Sequence, residues 1–215
     1  MPRLTEAKKV LVDQFIRDKA YEEAKKLLML HRVNLFTMTE LAEQMGVAKG
    51  TLYNYFEDKQ AVIVYVCKRI NEELLVKIQE HIMLQPEAYA DNLRFIFRTY
   101  TQAMELNQFM DLASMTLHFE MLKKAPSEHK PIYEEIVQKN RSSLIEFMRN
   151  GQQAGVFKEL PAEHLAAFIS IQLWGIKVFR TAHQTDVMSP TGMQKLIDDA
   201  EALLLTAICK EPPAL

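Results

Sequence analysis

A short stretch between positions 49 and 55 carries side chains that could contact the phosphates and base edges of a nucleic acid. It offers one cation, one hydroxyl, one amide and two phenols, all of which form hydrogen bonds. Leu52 and Phe56 are one helical turn apart, and with these two placed inward the polar side chains lie on the outward face or beside it. These outward and flanking residues are Lys49, Gly50, Thr51, Tyr53, Asn54 and Tyr55. The spacing predicts an exposed helix that contacts DNA, and it is equally compatible with an ordinary helical hairpin.

A second short helix must precede this one and hold it at a sharp angle. Thr37 is suited to cap that helix, and Glu40 three residues later completes the pattern of a capping box. Ala42 follows on the apolar face, and its small side chain allows two helices to approach closely. Gly46 stands where the chain must turn, since glycine adopts positive φ without steric cost. Residues 37–56 therefore predict two short helices joined by a tight turn.

The same stretch resembles the DNA-binding signature of the tetracycline-repressor (TetR) family of bacterial transcriptional regulators. The resemblance is carried by Leu41-Ala42, Gly46-Val47, Lys49-Gly50-Thr51-Leu52-Tyr53, Tyr55-Phe56 and Lys59. It implies that DNA is contacted by Thr37, Thr39, Lys49, Gly50, Thr51, Tyr53, Asn54, Tyr55 and Lys59. One departure is Ala48, where the family frequently has a serine that caps the recognition helix. The missing cap is expected to cost about 1 kcal/mol of local stability.

The resemblance also implies an all-α fold with two domains. Residues 1–58 would form an N-terminal three-helix domain that binds DNA through the helix-turn-helix at 37–56. Residues 59–215 would form a C-terminal helical bundle for effector binding and dimerisation. The implied function is sequence-specific regulation of transcription by a homodimeric repressor that binds a palindromic double-stranded operator and is released by a small-molecule effector. An activator is an alternative, as is a DNA-bound adaptor of the same fold whose C-terminal domain binds a protein partner.

The charge balance limits how the chain could hold DNA. The 215 residues carry a formal net charge of −2, and the first 60 contain ten basic against nine acidic side chains. Because non-specific DNA binding needs a basic surface, the cations must be gathered locally. The candidates are Lys49 and Lys59, with Arg3, Lys8 and Lys9 from an N-terminal extension at residues 1–12. The extension either contacts a phosphate or a minor groove, or forms a solvated helix end.

Missing motifs disfavour several other classes of protein. The six histidines form no His-Glu-x-x-His motif, and none follows a glutamate by three residues. A P-loop and the Gly-x-Gly-x-x-Gly and Gly-x-Ser-x-Gly motifs are also missing, so we predict no enzyme, no cofactor and no metal site. Cys67 and Cys209 are far apart and fit reduced thiols. The longest apolar run, residues 61–67, is too short to span a membrane, and no cleavable signal is evident, so a cytoplasmic location is expected.

Apolar periodicity predicts helices over most of the chain. The predicted spans are 5–31 as one long helix or two nearly continuous ones, 59–84 with Asp58 as N-cap, 86–106, 109–124, 131–150, one helix opened by Leu160-Pro161, and a last one opened by Ser189-Pro190. The last two are so apolar that we expect them to pack against their copies as a four-helix dimer interface, with a purely intrachain core as the alternative. The predicted interface residues are Phe168, Leu173, Ile176, Met193, Leu196, Ile197, Ala200, Leu203, Leu204 and Ala207.

The middle of the C-terminal part is rich in methionine and phenylalanine, which suit adaptable apolar pockets. The resemblance implies an effector pocket there, and polar side chains nearby could orient the ligand. The predicted lining residues are Tyr100, Met104, Met115, His118, Phe119, Gln172 and Trp174. The same residues would serve equally as ordinary core, and the sequence does not specify the ligand.

Overall fold

The computed structural model describes residues 6–30, 36–101, 130–182 and 189–211. Over these ranges the chain is all-helical apart from one isolated antiparallel bridge, which confirms the predicted fold class. The described helices are α1 (Glu6–Leu30), α2 (Met38–Met45), α3 (Lys49–Tyr53), α4 (Lys59–Leu84), α5 (Tyr89–Thr101), α6 (Lys130–Gln153), α7 (Ala162–Ala182) and α8 (Pro190–Ile208).

Local capping signals determine where several helices begin. The carboxylate of Asp58 accepts the backbone N–H of Ala61 at 2.7 Å at the start of α4. Ser189 caps α8 in the same way, because its Oγ accepts the N–H of Gly192 at 3.1 Å. Pro190 follows at the first helical position, where its missing N–H costs nothing. The predicted starts of α4 and α8 are therefore confirmed.

The start of α5 differs from the prediction. The helix begins at Tyr89 and the predicted start at Pro86 is wrong, because Pro86 lies in a turn that precedes it. In that turn the N–H of Ala88 donates to the carbonyl of Gln85 at 3.1 Å. Proline is favoured at the second position of such turns because its ring presets φ. The end predicted for this helix and the whole of the helix predicted over 109–124 lie outside the described residues.

The helix predicted over 131–150 is longer than the sequence suggested. It runs from Lys130 to Gln153 as α6 and includes Gly151. The chain leaves the helix at Gly155, which has a φ of 76°. This left-handed conformation favours glycine, so Gly155 rather than Gly151 marks the end of the helix.

The chain divides into two compact units. The described part of the N-terminal unit comprises residues 6–30, 36–70 and 130–133. Its core is apolar, and α2 packs against both α1 and α3. The core side chains include Ala20, Tyr21, Ala24, Leu27, Leu28, Phe36, Leu41, Met45, Leu52, Phe56, Ile63 and Val66.

The described part of the C-terminal unit comprises residues 71–101, 134–182 and 189–211. Within it α5 packs against α7 and α8, and α7 packs against α8. Its core includes Leu93, Phe97, Met148, Phe157, Ile169, Ile197, Leu204 and Ile208. A backbone bridge pairs Phe157 with Cys209, which ties the segment after α6 to the end of α8. The functional domain boundary after residue 58 stays a prediction.

None of the helices within the described ranges has both the length and the hydropathy needed to cross a membrane.

Candidate nucleic-acid interface

The first helix of the predicted helix-turn-helix begins with the expected capping box. The N–H of Glu40 donates to Thr37 Oγ1 at 3.1 Å, and the N–H of Thr37 donates to Glu40 Oε2 at 2.6 Å. The helix ends at Gly46, which has a φ of 65°, and the next residue, Val47, donates its N–H to the carbonyl of Ala42 at 3.0 Å. Both ends of α2 are therefore determined by the residues that the sequence indicated.

The second helix, α3, is a short helix of five residues. It begins after Ala48, whose carbonyl accepts the N–H groups of Thr51 at 2.9 Å and Leu52 at 3.3 Å. The methyl side chain of Ala48 has no oxygen with which to cap the helix. Leu52 is fully buried and holds the inner face of α3 in the core. Phe56 is also buried, and it enters the core from the turn that follows the helix.

The side chains predicted to contact DNA are accessible. All nine lie in the described part of the chain, and none is buried. The exposed ones are Thr37, Thr39, Lys49, Gly50, Tyr53 and Asn54, and the half-buried ones are Thr51, Tyr55 and Lys59. An accessible polar face on α3 above a buried Leu52 is the geometry that a recognition helix requires. Their assignment to DNA contacts stays a prediction.

A cation that the sequence did not reveal supports the end of the recognition helix. The guanidinium of Arg17 lies 5.1 Å from the centre of the Phe56 ring and 6.0 Å from that of Tyr65. Asp13 accepts a hydrogen bond from Arg17 Nε at 2.9 Å and so orients it. The rings of Phe56 and Tyr65 meet edge to face at 5.5 Å. Arg17 on α1 therefore packs against the residue that anchors the chain just beyond α3.

A second arginine connects α1 to α4. Arg69 Nη1 donates to Asp18 Oδ1 at 2.5 Å and to the hydroxyl of Tyr65 at 3.2 Å. The hydrogen bond to Asp18 is the main reason that the pKa of the Arg69 guanidinium is raised above its usual value. The same guanidinium lies 5.1 Å from the ring of Tyr21, which is buried in the N-terminal core. No periodicity in the sequence signals the contacts of Arg69 with Asp18 and Tyr21, because these partners are far from it in the chain.

Three of the seven predicted effector residues fall within the described ranges. Tyr100 continues the buried row of α5, and its burial raises the pKa of its phenol to about 12, so the hydroxyl stays protonated at neutral pH. Gln172 and Trp174 are half-buried on α7. Because they are two residues apart on a helix, their side chains point about 160° apart, and one pocket wall takes only one of them. The other four, Met104, Met115, His118 and Phe119, lie outside the described residues.

The predicted dimer residues divide into two groups. One group is buried within the C-terminal unit of the single chain, as the alternative of a purely intrachain core predicts. It consists of Ile176, Met193, Ile197 and Leu204. Phe168, Leu203 and Ala207 are exposed, and Leu173, Leu196 and Ala200 are partly buried. Ile171, which the prediction omitted, is 67% exposed and lies one turn from Phe168. Whether a second subunit covers this exposed face stays a prediction.

No group of three or more metal-ligating side chains occurs among the residues that the structure describes.

An all-helical chain in which α2 and α3 form a helix-turn-helix with an accessible polar face has the architecture of the class of helix-turn-helix DNA-binding proteins. Residues 21–66 match the family model of bacterial regulatory proteins of the tetR family. The match spans the last ten residues of α1, all of α2 and α3 and the first turns of α4, and it includes all nine predicted DNA contacts. Comparison with curated proteins gave no match.

Solved structures with the same fold are transcriptional regulators. A TetR-family regulator from Pectobacterium atrosepticum is 18% identical, with a TM-score of 0.72 over 98% of this chain and 100% of that one. FadR from Bacillus subtilis in complex with stearoyl-CoA is 17% identical, with a TM-score of 0.66 over 90% of this chain and 97% of that one. The ketosteroid regulator KstR2 of Mycobacterium tuberculosis is 17% identical, with a TM-score of 0.64 over 91% and 95%.

The resemblance seen in the sequence is thereby confirmed. The N-terminal segment thus matches the tetR family model over residues 21–66, and the chain has the fold of TetR-family transcriptional regulators.

Proposed function

We propose that the chain represses transcription by binding an operator as a homodimer, and that a small-molecule effector releases it. The observation that carries this proposal is the exposure of the polar side of α3 above a buried Leu52, inside the segment that matches the tetR family model. A short helix anchored in this way can enter a major groove without disturbing the core behind it.

The polar residues take different parts in the proposed complex. Lys49, exposed at the start of α3, contacts a phosphate, and Lys59 at the start of α4 does the same. Thr51, Tyr53 and Asn54 contact base edges, since their hydroxyl and amide groups both donate and accept hydrogen bonds. The exposed Thr37 and Thr39 of α2, with Gly50 and Tyr55, complete the contact surface.

The exposed apolar side chains of α7 and α8 support the homodimer. Phe168, Ile171 and Leu203 present large apolar surfaces in the single chain. A twofold axis brings such a face onto its own copy, and both copies then bury it. Two recognition helices related by this axis read half-sites about one DNA turn or a multiple apart, so the operator is palindromic.

The proposed effector site lies in the C-terminal unit beside α5. Tyr100 is partly buried against the apolar core of this unit, and its phenol is protonated at neutral pH, which suits a site for a largely apolar ligand. The presence of stearoyl-CoA in FadR supports a large apolar effector. The continuous helix α4 contributes residues to both units and so provides the covalent path between effector and DNA sites. The effector acts only through its different affinities for the two states.

Selection of bound sequences from a random pool of duplex DNA tests the DNA-binding part of this proposal. We expect enrichment of one palindromic motif with two half-sites. Failure to enrich any sequence, or enrichment of a single asymmetric site, would contradict sequence-specific binding by a twofold dimer.

A thermal-shift screen with the selected operator present tests the effector part. We expect apolar small molecules that raise the melting temperature also to release the operator. Compounds that stabilise the protein without weakening its DNA affinity would argue against effector release and for an adaptor whose C-terminal domain binds a protein.

A further inference from the structure

The helix α1 has two apolar faces, one in each half of its length. In the second half, Ala20, Tyr21, Ala24, Leu27 and Leu28 are buried in the core of the N-terminal unit. In the first half, Leu11 and Phe15 remain 66% and 65% exposed on one face, and Val10 and Val12 are 60% and 41% exposed on other sides of the helix. At about 100° per residue, the side chains of Leu11 and Phe15 point roughly 160° away from the centre of the buried face. The face of α1 that carries Leu11 and Phe15, which we call its outer face, is therefore not part of the core of the N-terminal unit.

Charged residues continue this outer face in a heptad pattern. Lys8, Leu11, Phe15, Asp18 and Glu22 follow one another at intervals of three, four, three and four residues. This spacing keeps side chains on one seam of a helix that packs along another helix. A cation lies before the apolar pair and two carboxylates lie after it. We refer to these five residues as the outer seam of α1.

The charged ends of the outer seam are accessible. Lys8 and Glu22 are exposed. Asp18 accepts the hydrogen bond from Arg69, yet 43% of its side chain remains accessible, so a carboxylate oxygen can accept from a further cation. The outer seam thus presents a positive end, an apolar centre and a negative end to solvent.

This charge order favours a copy of the same helix in one orientation. In an antiparallel pair centred between Leu11 and Phe15, Leu11 contacts the partner's Phe15, and Lys8 lies opposite the partner's Asp18. The same contacts recur by symmetry, as in any twofold interface. A parallel pair would place Lys8 against the partner's Lys8 and would bring carboxylates together, which is unfavourable. The outer seam is therefore complementary to itself only when the two helices run in opposite directions.

We propose that the outer seam of α1 is a self-association surface, on which a second copy of this chain docks by antiparallel pairing of the two α1 helices. This pairing uses residues of α1 and none of α7 or α8, so it is additional to the proposed homodimer contact. Two large apolar side chains per copy bury much less surface than the roughly 800 Å² per partner that a stable complex buries. The pairing is therefore weak in dilute solution and strengthens where copies are held close together.

Disulfide trapping in the full-length chain tests the orientation. Leu11→Cys and Phe15→Cys variants are mixed under mild oxidation, and the native Cys67 and Cys209 are buried and do not compete. We expect the mixed product between positions 11 and 15 to exceed each self-linked product severalfold. Val10→Cys, exposed on the same helix but off the seam, is the matched control and should cross-link poorly. Self-linked products equal to the mixed one, or cross-linking no greater than the control, would overturn the proposal.

Sedimentation velocity over a concentration series tests the association itself without DNA, so its outcome is independent of the regulatory function. We expect the wild-type chain to show a concentration-dependent increase in sedimentation coefficient that Leu11→Ser abolishes and Val10→Ser retains. Both positions are exposed, so neither change should lower the melting temperature. Identical behaviour of all three proteins would overturn the proposal. The proposal would also be overturned if Leu11→Ser, but not Val10→Ser, lost binding to phosphatidylglycerol vesicles. That result would assign the outer seam to a membrane surface.

Discussion

The ammonium group of Lys49 lies 5.9 Å from the centre of the Tyr53 ring, one turn further along α3. The two side chains share one solvent-facing side of the helix and both are exposed. At such an exposed site a cation–π contact contributes about 0.5–1 kcal/mol. That contribution biases the flexible lysine toward the ring, so the cation and the phenol lie together on the face of α3 that we propose contacts DNA.

Removal of the Lys49 charge should change the salt dependence of operator binding. If Lys49 contacts one phosphate, Lys49→Ala lowers the slope of log K against log salt by about one. The matched control is Lys139→Ala, because Lys139 is exposed on α6 in the C-terminal unit. Fluorescence anisotropy of labelled operator over a salt series measures the slope for both variants. An unchanged slope in Lys49→Ala would remove this lysine from the phosphate contacts.

A serine at position 48 should strengthen the start of the recognition helix. Ala48 already has the extended backbone of an N-cap residue, with φ −66° and ψ 142°. Ala48→Ser therefore adds a capping oxygen without a backbone change, and the free energy of unfolding should rise by about 1 kcal/mol. Urea denaturation measures this free energy, and Ala48→Val is the control because valine adds bulk but no hydrogen-bond acceptor. Equal effects of serine and valine would show that capping is not involved.

Position 151 should accept no side chain. A Cβ built on Gly151 would overlap the ring of Phe157, which is fully buried and cannot move aside. Gly151→Ala should therefore lower the free energy of unfolding by about 1–3 kcal/mol. Gly50→Ala is the control, since a Cβ there meets nothing within 4 Å. Wild-type stability of the Gly151→Ala protein would mean that Phe157 repacks freely.

The carboxylate of Glu201 should stabilise the packing of α5 against α8. Its side chain is 5% exposed and receives hydrogen bonds from Arg98 Nε at 2.6 Å and Nη2 at 2.9 Å, with Arg94 Nε at 3.2 Å. Because both arginines are partly exposed, Glu201→Ala should lower the free energy of unfolding by about 1–3 kcal/mol. The loss of a partner in a fully buried ion pair would lower it by more.

The matched control for Glu201 is a surface ion pair in the same unit. Glu159 accepts from Lys210 at 3.0 Å and is 83% exposed, so Glu159→Ala should change the free energy of unfolding by less than about 1 kcal/mol. A double-mutant cycle of Glu201 with Arg98 measures the coupling in the buried cluster. A coupling energy of zero between Glu201 and Arg98 would contradict the stabilising role that we assign to this buried cluster.

The phenol of Tyr100 should make stability fall at high pH. Burial raises its pKa to about 12 in the folded chain, above the usual value of about 10 in the unfolded chain. The neutral form is therefore favoured by folding, and this contribution is fully present below about pH 10 and is lost as the pH rises toward 12. Tyr100→Phe should show a smaller loss of stability over that range. Identical pH profiles for both proteins would place Tyr100 in contact with water.

The helix-turn-helix was predictable because few residues determine it. Thr37 and Glu40 close their capping box across three positions, and Gly46 needs only its own φ. The start of α8 at Ser189 follows from the same local rules. By contrast, Pro86 does not determine a helix start by itself, because proline is equally favoured in the turn that it occupies.

Contacts between distant residues could not be predicted. Arg98 meets Glu201 across 103 positions, and periodicity does not say which partner a charged residue finds. The position of Arg17 over Phe56 is not predictable for the same reason. Periodicity on α8 likewise did not show which apolar residues pack inside the single chain, as Ile197 and Leu204 do, and which stay exposed in it, as Leu203 does.

The most direct test of the central claim is the affinity of the Tyr53→Ala chain for the operator selected from random DNA. Tyr53 is exposed, so its loss should leave the melting temperature and the dimer unchanged. We predict that the substitution weakens operator binding by about tenfold or more, whereas Lys139→Ala binds like the wild type. Wild-type affinity in the Tyr53→Ala chain would contradict the assignment of α3 as the helix that reads DNA.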